Sequence, residues 1–196
     1  AGERFARASF AFAGEPAELG TSVLRNAVFA GLLNGVLAEK VNLVNAGQIA
    51  ASRGITVEER TRHRDHGYPN SIEVTVRSAA LGSAGGERTV SAEATLIHGS
   101  SPRVLRVDGI ELEAPLAGTM LFTRSRDVPG VIGQIGTVLG ERKVNISTFA
   151  LGRRGAEHGA DAMAMVRLDG EVPESVLEAI RAVPAVTEAR LIRLPE

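Results

Sequence analysis

The chain of 196 residues has no cysteine, almost no net charge and no long apolar run. Without cysteine there are no disulfides, no thiolate metal sites, no iron–sulfur ligation and no cysteine nucleophile. A formal charge of -1 gives no reason to expect a nucleic-acid or membrane-surface binder. No segment approaches the roughly 20 apolar residues of a membrane helix, and the N-terminus has no signal-peptide pattern. The chain begins Ala1-Gly2-Glu3 rather than with Met, which suggests a processed product or a fragment of a longer protein. These features fit a reducing compartment, and the expected location is cytoplasmic. What the chain does have is 44% hydrophobic residues and a mean hydropathy of +0.06, enough to build a core and too much for a disordered chain.

Catalytic signatures are equally scarce. There is no Gly-x-Ser-x-Gly elbow, no phosphate loop and no His-Glu-x-x-His. Gly130, Gly133 and Gly136 are spaced Gly-x-x-Gly-x-x-Gly, which is not a dinucleotide fingerprint, and they read as points of close helix approach. His63 and His66 lie among Arg60, Arg62, Arg64 and Asp65, which lack a third ligand at metal spacing and would repel a cation. His98 and His158 are isolated beside or near glycines and read as loop residues. No catalytic residue, metal or cofactor is expected on this segment.

The pattern divides the chain where charge does not: residues 1–117 carry 12 basic and 13 acidic side chains, and residues 118–196 carry ten of each. A small-residue stretch with Pro115 and Gly118 places the boundary within 114–118, giving domains 1–116 and 117–196. In the first, Ala8, Phe10 and Phe12 alternate as in a half-buried strand. Thr21 or Ser22 is the expected cap of a helix whose apolar side holds Val23, Leu24, Ala27, Val28 and Leu32. A second helix, about Leu43 to Ser52, should stop at Gly54. Strands are expected over Thr56–Arg62, Ser71–Arg77 and Arg88–Leu96, and a hairpin turning at Asp108-Gly109. The first domain therefore reads as α+β with a mostly antiparallel sheet. The second reads βαββαβ, the ferredoxin-like order, with Pro129 and Pro173 as first helical residues. Helical spacing sends Val131, Ile135, Val138 and Leu139, then Val176, Leu177 and Ile180, towards the sheet.

One constellation points to a ligand. Ser125-Arg126-Asp127-Val128-Pro129-Gly130 is followed by Val144-Asn145-Ile146. Asp127 ends one strand and Asn145 begins the next, and the two are expected at the same edge, beside a helix N-terminus. A carboxylate for an ammonium, an amide for either charge and free helix N–H groups for a carboxylate together complement an α-amino acid. The plainer alternative makes Asp127 a helix cap and Asn145 the start of a strand.

Arg126 to Gly133, Gly136-Thr137-Val138-Leu139-Gly140 and Val144-Asn145-Ile146 resemble an ACT domain, more narrowly the one in bacterial phosphoglycerate dehydrogenases. The resemblance continues through Leu151-Gly152-Arg153-Arg154, Ala162 to Val166 and Val172 to Leu177. In the first domain, Leu43-Val44-Asn45-Ala46, Ala50 to Ile55 and Val107-Asp108-Gly109 resemble that enzyme's intervening, allosteric-substrate-binding domain. The resemblance implies the regulatory half of an NAD-dependent enzyme that opens L-serine biosynthesis by oxidising 3-phosphoglycerate. NAD and the catalysis would then belong to upstream domains of the full chain. It further implies self-association through paired ACT domains, with L-serine between them on the positions of Ser125, Asp127, Val128, Pro129, Gly130, Asn145 and Ile146. Where this chain has Ser125, some relatives carry a histidine or an aromatic residue.

A second constellation is basic. Arg60, Arg62 and Arg64 share one strand face, with Arg77 on a strand expected beside them, and arginine forks suit phosphate or carboxylate dianions. The reading is an anion site in the first domain, against a solvated strand edge. Alternatives for the whole chain are the regulatory part of an L-serine dehydratase, a free-standing amino-acid-binding ACT protein, a self-sufficient enzyme and an oligomerisation module without a ligand.

Overall fold

The computed structural model describes residues 4–18, 20–62, 68–79, 87–155 and 159–195. His63, Arg64, His66, His158 and the glycine-rich turn at 82–86 lie outside the described residues. The chain is α+β and forms two compact units, 1–95 and 96–196. Its sequence break at 114–118 lies inside the second unit, so the hairpin preceding that break packs with the strands after it.

The first unit contains β1 (Arg4–Ala13), α1 (Glu15–Glu18), α2 (Thr21–Asn34), α3 (Ala46–Ser52), β2 (Thr56–Arg62), β3 (Ser71–Ala79) and all but the last two residues of β4 (Arg88–Ile97). Its strands run in the order β2-β1-β3-β4, with β2 parallel to β1 and the other pairs antiparallel. Alternation along β1 sends Ala8, Phe10 and Phe12 into a core with Phe29 and Leu33 of α2 and Ala46 and Ala50 of α3. Phe10 meets Phe29 edge to face at 5.5 Å, and burial of each such ring contributes about 1.5–3 kcal/mol.

The face of α2 matches the expected one in part, since Leu24 and Val28 pack against this core. Phe29 and Leu33 are its buried residues, whereas Val23 and Ala27 are exposed. Its N-cap is Gly20, and the hydroxyl of Thr21, its first residue, donates to Glu59 on β2 at 2.8 Å. The second helix starts at Ala46 rather than Leu43, since the preceding residues form asparagine-bonded turns. The Asn42 carbonyl oxygen Oδ1 accepts the N–H groups of Val44 and Asn45 at 2.9 and 3.1 Å. Gly54 does end that helix. With φ at +72°, it lets Ile55 donate to the Ala50 carbonyl and Gly54 to that of Ala51, a Schellman closure.

The second unit contains β5 (Ser101–Val107), β6 (Ile110–Pro115), β7 (Thr119–Arg126), α4 (Val131–Glu141), β8 (Ile146–Arg153), β9 (Asp161–Leu168), α5 (Glu174–Arg181) and β10 (Val186–Arg193). From β7 onward this is the expected βαββαβ order, in an antiparallel sheet β10-β7-β9-β8. Val131, Ile135 and Leu139 of α4 and Val176, Leu177 and Ile180 of α5 pack on one sheet face with Leu121, Ala164, Val166 and Leu168. The opposite face, carrying Met120, Met163 and Met165, is covered by Val104, Ile110, Leu112 and Ala114 of the β5–β6 hairpin. That hairpin turns at Asp108 and Gly109, with φ of 47° and 77°, as a two-residue turn of this type requires.

Both prolines sit earlier than expected. Gly130, left-handed at φ 91°, is the N-cap of α4, and Pro129 precedes it. Pro173 is itself the N-cap of α5.

Candidate functional site

Strand β7 ends in a turn that begins the site. Val128 donates to the Arg126 carbonyl at 2.9 Å, and Gly130 turns the chain through a left-handed conformation into α4. The first turn of α4 has no side-chain cap, so its amide donors stay directed outward. The Asp127 backbone is fixed by the loop before β9: it donates to Ala160 at 2.8 Å and accepts from Gly159 at 3.0 Å.

This turn borders a cavity of about 450 Å3 lined by Ser125, Arg126, Asp127, Val128, Pro129, Gly130, Val131, Ile132, Leu151, Arg153 and Ala162. Five of the seven residues expected at the effector site are here: Ser125, Asp127, Val128, Pro129 and Gly130. The Asp127 carboxylate caps no helix. It pairs with Arg153, whose Nη1 lies 3.3 Å from Asp127 Oδ2. The side chain of Asp127 is 25% exposed and that of Arg153 is 57% exposed, so the pair faces solvent. Val128, Ile132 and Leu151 are exposed apolar residues around it.

Asn145 and Ile146 are elsewhere, which corrects the expectation that Asp127 and Asn145 share an edge. Thr119 and Ile146 both lie opposite Leu168 of β9, while Arg126 lies opposite Asp161. Strands β7 and β8 therefore run in the same direction, joined by α4, and the start of β8 lies at the far end from the finish of β7. The separation is roughly 25 Å at strand rise. Asn145 donates through Nδ2 to Asp169 at 2.7 Å and accepts the Asp169 N–H on its carbonyl at 3.0 Å. Ile146 packs against the helix-side core.

Arg153, Leu151 and Ala162 belong to the cavity but escaped the sequence reading. The signal is in the register: Arg153 and Ser125 both lie opposite Ala162, from the two sides of β9. Side-chain alternation puts residues 151 and 153 on the same face as Ser125.

The basic group of the first unit is not assembled as expected. Strand β1 separates β2 from β3, and Arg77 lies opposite Arg7, which is opposite Thr56 at the start of β2. Arg77 is thus six strand positions, roughly 20 Å, from the level of Arg62. Arg60 and Arg62 bond Glu73 at 3.3 and 2.8 Å, and Arg62 also lies 3.8 Å from the buried Glu93. Arg77 lies 3.9 Å from Glu87. Arg64, the remaining member, lies outside the described residues. Among the described residues, no group of three or more His, Asp or Glu could hold a metal ion. No helix among them is long and apolar enough to cross a membrane.

Comparison with known proteins finds a family match in each half of the chain. Residues 2–108 match the D-3-phosphoglycerate dehydrogenase intervening domain, and residues 119–185 match the ACT domain. The chain is 31% identical over 184 residues to the D-3-phosphoglycerate dehydrogenase of Bacillus subtilis, covering 94% of this chain and 33% of that protein. It is 34% identical over 195 residues to the Synechocystis enzyme of the same name, covering 99% and 34%, respectively. With the Methanocaldococcus jannaschii enzyme it shares 31% over 188 residues, 96% of this chain and 34% of that protein. The chain thus spans about a third of the length of these curated relatives. With an intervening domain, an ACT domain and relatives of one name along nearly its whole length, the chain belongs to the D-3-phosphoglycerate dehydrogenase family, corresponding to the ACT-containing regulatory part of its members.

Proposed function

We propose that this chain is the effector-sensing part of an NAD-dependent phosphoglycerate dehydrogenase and that it takes L-serine between two ACT copies. NAD and 3-phosphoglycerate are handled by catalytic domains outside these residues. The observation that carries the reading is the cavity at the end of β7, where the Asp127 carboxylate, the Arg153 guanidinium and the uncapped first turn of α4 converge. Those groups complement the ammonium and carboxylate of an amino acid, and they stand beside exposed apolar residues that a second copy would cover.

On this reading Asn145 contributes from a second copy. Within one chain it is a sheet length away from Asp127, so it joins the site only from a second copy. A two-fold arrangement that sets two α4 helices side by side and antiparallel brings Asn145 of each copy to Asp127 of the other. Each pair of chains then holds two equivalent sites.

Titration calorimetry of L-serine into the wild-type chain and into Asp127→Ala tests the reading. Loss of a charged hydrogen bond is worth about 1.5–3 kcal/mol, so affinity should fall about 10- to 150-fold. The melting temperature should move little, because an exposed ion pair contributes only about 0–1 kcal/mol. Equal affinities in the two proteins, or no heat of serine binding in the wild type, would refute it.

A further inference from the structure

We infer that Arg153 is the carboxylate-binding residue of the cavity, and that its pairing with Asp127 makes the site selective for zwitterions. The inference rests on the amino-acid reading above and deepens it. Arg153 is the last residue of the outer strand β8, two strand spacings (roughly 10 Å) from β7. It reaches Asp127 because the intervening positions on that face are small: Ala162 lies between Arg153 and Ser125 in one cross-strand row. The guanidinium consequently hangs over the cavity at 3.3 Å from the carboxylate, beside the uncapped N-terminus of α4.

Two opposite charges that neutralise each other across a cavity impose a rule on any ligand. An ammonium that takes Asp127 removes the partner of Arg153, and a carboxylate that takes Arg153 removes the partner of Asp127. A ligand with one charge therefore exchanges one ion pair for another and leaves a charge unmatched. A zwitterion replaces both ends at once, and its carboxylate gains the planar arginine fork together with the helix amides. The existing pair is solvent-facing and weak, so it opens readily. Arg126 also borders the cavity, but alternation along β7 places it on the face of Arg124, which bonds Asp108 in the hairpin turn.

Calorimetry on the whole chain tests this with four ligands: L-serine, glycine, L-serine amide (cation only) and 3-hydroxypropionate (anion only). The wild type should bind L-serine about 10- to 150-fold more tightly than either single-charge analogue. Arg153→Gln should weaken L-serine by a similar factor while binding serine amide as well as the wild type or better, because Asp127 is released. That crossover is not produced by a merely structural role. Arg153→Lys, which keeps the charge and loses the fork, should fall between the two. Unchanged serine affinity in Arg153→Gln overturns this inference while leaving the serine reading intact. Binding of glycine but not L-serine by the wild type overturns the serine reading and leaves the zwitterion rule standing. Failure of both zwitterions to bind overturns both.

Discussion

Gly152 shows how little room separates the hairpin from the sheet that carries the site. A Cβ added there would lie 2.1 Å from the Glu111 carbonyl oxygen and 2.7 Å from Ile110 Cγ2, so β6 would have to move off β8. Gly152→Ala should destabilise the second unit by about 1–3 kcal/mol, read as a lowered urea midpoint with unchanged slope. An effect below about 0.5 kcal/mol would mean that the hairpin yields freely. The adjoining residues explain why the position matters. Arg154 donates to the Asp108 carbonyl at 2.7 Å, and Arg124 pairs with the Asp108 carboxylate, both from strand ends that also carry cavity residues. At this scale the sequence singled out Asp127, which lines the cavity and caps no helix. It was silent about Arg153, whose partner is 26 positions away and is reached only across β9. Pairings of that kind depend on register, and single residues do not encode register.

Helix α4 sets the direction of everything around the cavity, and its C-terminus carries a local conflict. Val144 donates to the Leu139 carbonyl and Lys143 to that of Gly140, the same Schellman closure that ends α3. At α3 the left-handed position is Gly54, whereas at α4 it is Lys143, with φ of 56°. A side chain in that conformation costs about 1–2 kcal/mol, part of which glycine returns through its freer unfolded chain. Lys143→Gly should therefore raise stability by about 0.5–1 kcal/mol in chemical denaturation, and a loss of stability would show that the lysine side chain makes a compensating contact. The elements themselves were legible because apolar periodicity is strong in α4, α5 and the strands of the second unit. The α2 face was legible only in part: its residues are apolar nearly all round, so spacing alone could not choose Phe29 and Leu33 over Val23 and Ala27. The cap shifted too: Thr21 is the first residue of the helix and its hydroxyl donates to Glu59 on β2.

For the molecule as a whole, the βαββαβ order was readable, but its consequence for the site emerges only once strand directions are fixed. A helix crossover makes β7 and β8 point the same way, so the end of one and the start of the other cannot meet. Asp127 and Asn145 can serve one ligand only if two copies share it, and this makes the site testable by complementation. Asp127→Ala and Asn145→Ala chains should each bind L-serine poorly when alone. Unfolded together in equal amounts and refolded, they should form about half mixed pairs if association is random. Each mixed pair contains one site with both residues intact and one with neither, so about a quarter of all sites should regain wild-type affinity. Serine titration of the mixture should show that high-affinity fraction, which should be absent when the two proteins are measured separately. If Asp127 and Asn145 instead acted within one chain, no mixture could restore a site, and the titration would be the average of the two defective proteins.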